Sequence, residues 1–152
     1  MATVEVEEVT IAQELERIRL FHSGFLKPED VVEEARDKNS VLHSHFEWSN
    51  SKAAALYRLE QARRLIRVCV KVISNDKPAV RTYVSLRSDR VSEDGGTAGY
   101  REIVSVMSKQ DLREQLLQDA FADFEFFRKK YQHLVELAPL FDAFEQLRRP
   151  GA

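Results

Sequence analysis

Seven basic side chains, Arg63, Arg64, Arg67, Lys71, Lys77, Arg81 and Arg87, crowd the middle of the chain. Guanidinium and ammonium groups gathered in this way are suited to phosphate oxygens: arginine pairs with them through two parallel N–H donors, and lysine acts as a point charge. The charge is uneven along the sequence. Residues 1–51 hold 5 Lys/Arg against 11 Asp/Glu, residues 52–90 hold 10 against 3, and residues 91–152 hold 8 against 11. A basic island of net +7 thus sits between acidic flanks of −6 and −3. Two readings stay open. The island meets nucleic acid, or it is a solvated face, paired within the molecule with the acidic N-terminal third.

Other chemistry is thin. His43 and His45 flank Ser44, a spacing that places both imidazoles on one side of an extended segment but turns them apart in a helical one. With Glu47 the only neighbouring ligand type, a structural pair beside Trp48 is expected in place of a metal site. Cys69 is the only cysteine, so no intrachain disulfide can form. Gly95, Gly96 and Gly99 follow no strand and precede no phosphate-binding lysine, so they read as linker glycines. No nucleophile elbow or zinc-protease helix motif occurs, and neither an enzymatic role nor a cofactor is expected.

The elements that must carry these residues are mostly helical. Ile11, Leu15 and Ile18 recur at helical spacing over about 9–22, and Gly24 follows as a stop. Pro28 opens a second helix with Val31, Val32 and Ala35 as its buried side. A short turn over 40–46 leads to Trp48, an anchor in the core. Ser49, Asn50 and Ser51 offer caps to a helix over 52–67, with Ala55, Leu59, Ala62 and Ile66 on one stripe. Arg58 falls inside that apolar arc and is expected at an edge or against a carboxylate. Residues 68–73 and 80–86 alternate with period two around a polar turn, which reads as a β-hairpin. Val68, Val70, Val72, Val80, Thr82, Val84 and Leu86 would then face inward, with Arg81, Tyr83, Ser85 and Arg87 outward.

Residues 88–99 have no apolar period and read as a flexible loop. Tyr100, Ile103, Val104 and Met107 fit one helical face. Ser108 with Asp111 resembles a capping box for a long helix over 109–137, ended by Pro139 and followed by one or two amphipathic turns. Its stripe is Leu112, Leu116, Ala120, Phe124, Phe127 and Tyr131. Phe126, Phe141 and Phe144 exceed what that stripe needs, which makes them candidates for a subunit contact and the protein a candidate homodimer.

The expected architecture is one domain over 1–152 of mostly α class with a small β-hairpin (α+β). Residues 28–87 form its core, and 100–149 its C-terminal helical part. From Pro28 the order of helix, turn, long helix and hairpin is that of a winged helix-turn-helix, whose long helix enters the major groove and whose hairpin touches phosphates. No apolar run is long enough to cross a membrane, and the acidic start is unlike a secretion signal, so a cytoplasmic protein is expected.

The run Leu26 to Asp37, then Ser40-x-Leu42-His43-x-x-Phe46-Glu47-Trp48 and Ala53 to Ile66, resembles small bacteriophage- and prophage-encoded proteins without an established activity. The stretches Tyr83 to Leu86, Ser88 to Arg90 and Gly99 to Arg101 are similar too, so the resemblance covers most of the chain after about residue 15. It implies a phage or mobile-element origin and a place in the bacterial host cell, with the virion left open. It implies no catalytic residues. The leading expectation is a phage-encoded DNA-associated accessory or regulatory protein that binds duplex DNA. The alternative is an oligomeric interaction or assembly protein that binds no nucleic acid.

Overall fold

The computed structural model describes residues 9–90 and 98–149. The chain is mostly helical with two small antiparallel strand pairs, an α+β arrangement, and it divides into two compact units, Met1–Ser108 and Lys109–Ala152.

In the first unit, α1 (Ile11–Phe21) starts on a reciprocal cap: Thr10 Oγ1 accepts from Gln13 N, and Gln13 Oε1 accepts from Thr10 N. It ends where Ser23 and Gly24 take positive φ, 60° and 85°, letting Gly24 N–H reach the Arg19 carbonyl at 2.8 Å. Helix α2 (Pro28–Ala35) carries Pro28 in its first turn and buries Val31, Val32 and Ala35. The next turn, His43–His45, leads to Trp48, whose Nε1 donates to the His43 carbonyl at 2.8 Å. The His43 ring stacks on the indole, 4.9 Å between centroids and 9° from parallel. His45 points to solvent, and no group of three metal-ligating side chains forms among the described residues.

Helix α3 (Lys52–Val68) is capped by Ser51 Oγ, which accepts from Ala54 N. Its buried stripe is Ala54, Arg58, Ala62 and Ile66, so Ala54 and not Ala55 faces inward. Arg58 is buried and meets no carboxylate among the described residues. Its guanidinium donates to the carbonyls of Glu47 and Ser49 at 2.9 and 2.8 Å and lies 5.5 Å from the Trp48 ring. Two backbone dipoles and an aromatic face thus replace the expected counter-charge.

The strand region departs most from expectation. The hairpin is reduced to β1 (Val70–Lys71) and β2 (Val80–Arg81), with Val70 opposite Arg81 and Lys71 opposite Val80. Immediately afterwards β3 (Tyr83–Val84) leaves it to pair with β4 (Arg101–Glu102). Val68, Val70 and Val72, expected inside, are therefore exposed, whereas Tyr83, expected outside, is 2% exposed. A ribbon of two-residue strands has no sheet beneath it to cover one face. Thr82 and Leu86 are buried as the alternation requires.

Residues Arg87–Arg90 form a helical turn, α4, within the expected loop; residues 91–97 lie outside the described residues. Gly99 is not a linker glycine: a Cβ there would stand 2.3 Å from the Phe25 ring. Tyr100 bridges to Leu26 through two 2.9 Å backbone bonds, and α5 (Ile103–Ser108) buries Ile103 and Val106 while Val104 and Met107 stay exposed. The core of the unit gathers Leu15, Ile18, Val31, Ala35, Ile66 and Tyr83, with five further side chains.

The second unit is a helical hairpin, α6 (Gln110–Tyr131) and α7 (Ala138–Arg148). Ser108 does not cap α6; its Oγ donates back to the Ser105 carbonyl inside α5, and the cap position is Lys109. The long helix stops at Tyr131, earlier than expected, and Pro139 sits in the first turn of α7, where its missing N–H costs nothing. Phe144 packs between Phe121 and Phe124, and Phe141 against Phe124 and Phe127. Arg128 bonds both Glu125 and Glu145, and Arg148 reaches Glu125 at 3.2 Å.

Candidate functional site

The end of α3 runs into β1 with only Cys69 between them, so the basic island occupies one helix terminus and the ribbon that grows from it. Three of its seven members are engaged. Arg63 is ion-paired to Glu60 one turn earlier, Lys71 Nζ lies 2.9 Å from Glu102 Oε1, and Arg87, at the start of α4, also has a partner. The other four, Arg64, Arg67, Lys77 and Arg81, are exposed and form no ion pair among the described residues. Arg64 and Arg67 are one turn apart on the same helix face. Arg81 stands opposite Val70 across the ribbon, and Lys77 lies in the turn that closes it, with its N–H on the Ser74 carbonyl at 3.1 Å. Val68, Val70, Val72, Ile73 and Val80 on the same two elements are also exposed.

Beneath the ribbon a polar cluster ties it to the body of the unit. Tyr83 Oη donates to Glu16 Oε2 at 2.9 Å, and Arg19 Nε donates to the same oxygen at 2.9 Å. The Arg19 guanidinium holds the Glu16 carboxyl below its ordinary value, against the opposing effect of burial. Burial first, and then the Glu16 carboxylate, push the Tyr83 phenol well above its ordinary value, so it stays protonated and serves as a donor. Burial also works against the charge of Glu102. It is outweighed by the Lys71 ammonium and the backbone N–H groups of Ser105 and Val104, which together bring the carboxyl down to about 2.

Between α1 and the ribbon lies a groove of about 510 Å³, walled by Ala12, Glu16 and Leu20 on one side and Cys69, Val70 and Tyr83 on the other. Its volume is in the range of small-molecule sites. Its polar groups are already matched: Glu16 is satisfied by Arg19 and Tyr83, and Lys71 by Glu102.

The candidate contact residues of the C-terminal part are not brought together. Phe144 is 5% exposed and, with Phe141, belongs to the seam between α6 and α7, whereas Phe126 is 74% exposed. The contacts among Glu16, Tyr83, Lys71 and Glu102 had no trace in the sequence, because residues 67 and 31 positions apart share no periodicity. Compared with known proteins, the chain matches no family model, no curated protein and no solved structure.

Proposed function

We propose that the chain is a DNA-associated accessory protein of bacteriophage or prophage origin, acting in the host cell, which rests the end of α3 and the β1–β2 ribbon on the phosphates of duplex DNA. One observation carries this reading. Arg17, Arg19, Arg36, Arg63, Arg101 and Arg128 are all held by carboxylates, while Arg64, Arg67, Lys77 and Arg81, on two adjoining elements, are not. Four exposed cations without ion pairs among the described residues thus stand together in a stretch of net +7 within a chain of net charge −2.

The contact is to backbone, not to base edges. A helix-turn-helix reader presents the N-terminal part of its long helix to the groove. Here the exposed residues of that part are Lys52, Ala53, Ala55, Leu56, Tyr57 and Glu60, of which only Lys52 at the very start carries a positive charge. On this reading the end of α3 and the ribbon position the protein without selecting sequence.

Fluorescence anisotropy with a labelled duplex tests it. Four phosphate contacts give a slope of about −3.6 for log K against log salt, and Arg67→Ala or Arg81→Ala each reduces it by about 0.9. Absence of a complex at about 50 mM salt ends this reading, because the electrostatic contribution is then at its strongest. An assembly role without nucleic acid would remain.

A further inference from the structure

Hairpin α6–α7 has two unlike faces, and their placement follows from helix geometry. Its seam is fixed by Phe124–Phe144, Phe127–Phe141, Arg128–Glu145 and Arg148–Glu125, pairs that run in opposite directions along the two helices. With about 100° per residue, side chains to one side of the seam on α6 meet side chains to the same side on α7. On one side lie Gln118, Glu125 and Lys129 of α6 with Asp142, Glu145 and Arg149 of α7, a polar surface laced by the ion pairs just named. On the other lie Leu116, Ala120 and Phe127 of α6, with Asp123 at the outer edge, and Leu140, Ala143 and Leu147 of α7.

That second side is apolar and uncovered. Leu147 is 69% exposed, Leu140 46% and Phe127 39%, and Leu117, just past the reach of α7, is 51% exposed. None of the 22 residues of α6 is buried. An amphipathic helix derives its stability from the face it buries, and two helices side by side form a single layer.

We infer that this face is a homodimer interface, in which the hairpins of two copies close face to face into a four-helix bundle. The occupant is a second copy for three reasons. The surface is apolar except for Asp123 at its outer edge, so a copy of itself is complementary under a two-fold axis, which brings Leu140 and Leu147 of each chain against the Phe127 and Ala120 stripe of the other. The ion pairs of the hairpin lie on its opposite side, and Asp123 is the one acidic side chain of α6 on this face, which leaves its apolar residues as the main recognition surface. The size also suffices. Helices of 22 and 11 residues are about 33 and 16 Å long and about 10 Å wide, which gives on the order of 500 Å² of projected face per chain. Two such faces together reach the ~1,000 Å² of a specific interface. Phe126, on the back of α6, takes no part. The inference does not depend on the nucleic-acid reading, since neither α3 nor the ribbon contributes to it.

Sedimentation equilibrium on the full chain at tens of micromolar tests it, comparing wild type with Leu147→Asp, Leu140→Asp and Phe126→Glu. Wild type is expected at twice the chain mass. The substitutions at Leu147 and Leu140 each raise the dissociation constant by on the order of 100-fold, because a carboxylate is then buried against apolar surface. Phe126→Glu leaves it unchanged. Both leucines are exposed within the chain, so helical circular dichroism should persist in the variants and separates loss of association from loss of fold. A monomeric wild type overturns the inference. So does a dimer that Phe126→Glu dissociates while Leu147→Asp does not, since the contact then lies on the opposite face.

Discussion

Tyr83 and Phe127 are both large aromatic side chains on regular elements, yet one is 2% exposed and the other 39%. They belong to units of different construction. Around Tyr83, helices α1, α2 and α3 and strand β3 approach from different directions and enclose a cluster of eleven buried side chains. Around Phe127 there are only α6 and α7, and Phe144 is the one buried side chain among the described residues of that unit. Supply of apolar residues does not explain the contrast, because the second unit is rich in Phe and Leu. Burial requires a second layer. The first unit supplies its own, and the second presents half of a core.

This comparison can be broken most directly at Ile66, which is fully buried on α3. Ile66→Ala should lower stability by about 2–5 kcal/mol through lost transfer energy and the cavity left behind. The readout is local: the chain has one tryptophan, Trp48, packed in this unit against His43 and Arg58, so its fluorescence in urea follows the first unit. A change under ~1 kcal/mol would mean that the cluster is not the main support of the unit.

A smaller effect is expected at Glu102, where the first unit relies on a buried charge and not on packing. Its carboxyl titrates near 2 in the fold against an ordinary 4.5. The unfolded chain therefore takes up this proton first as pH falls, so the contribution of Glu102 is complete above about 4.5 and is lost between there and about 2. Its size is on the order of 3 kcal/mol, and Glu102→Gln should flatten that part of the pH dependence of the urea midpoint. An unchanged profile would remove the Lys71–Glu102 pair from the account of how the ribbon is anchored.

The smallest effect sharpens the description of the second unit. Phe126→Ala should shift stability by less than about 0.5 kcal/mol, because the ring is 74% exposed and stands on the face away from α7. A loss above ~2 kcal/mol in thermal unfolding would show that this face, too, is covered in solution.

What the sequence disclosed follows the same division. Where a signal is local it was readable: Pro28 opens α2, Ser51 caps α3, Leu15 and Ile18 of α1 are buried with Ile11 half-buried, and the stripe of α2 is buried as its spacing requires. Thr10 with Gln13 was an equally plain cap signature, better matched to the motif than Ser108 with Asp111, whose serine turned back to the preceding helix. Period two in residues 68–73 could not show that the strand would have nothing to lie on, nor that Tyr83 and Val84 would pair with residues about eighteen positions on. Pro139 was read only as a stop although its fixed φ suits a start, which reduced α7 to one or two turns and concealed the seam. In the basic island, positions were legible but partners were not. Only distances distinguish Lys71, held by Glu102, from Arg81, held by nothing among the described residues.

The single-residue junction at Cys69 has a thermodynamic consequence for whatever meets the basic surface. Thr82 N–H bonds the Cys69 carbonyl at 2.9 Å, which closes the chain on itself at the point where helix becomes strand. Arg64, Arg67 and Arg81 are therefore mounted on backbone whose dihedral freedom was surrendered during folding. Association then immobilises side-chain rotors only, at about 0.5–1.5 kcal/mol each. The backbone entropy of a flexible basic arm, about 1–2 kcal/mol per residue ordered, does not enter.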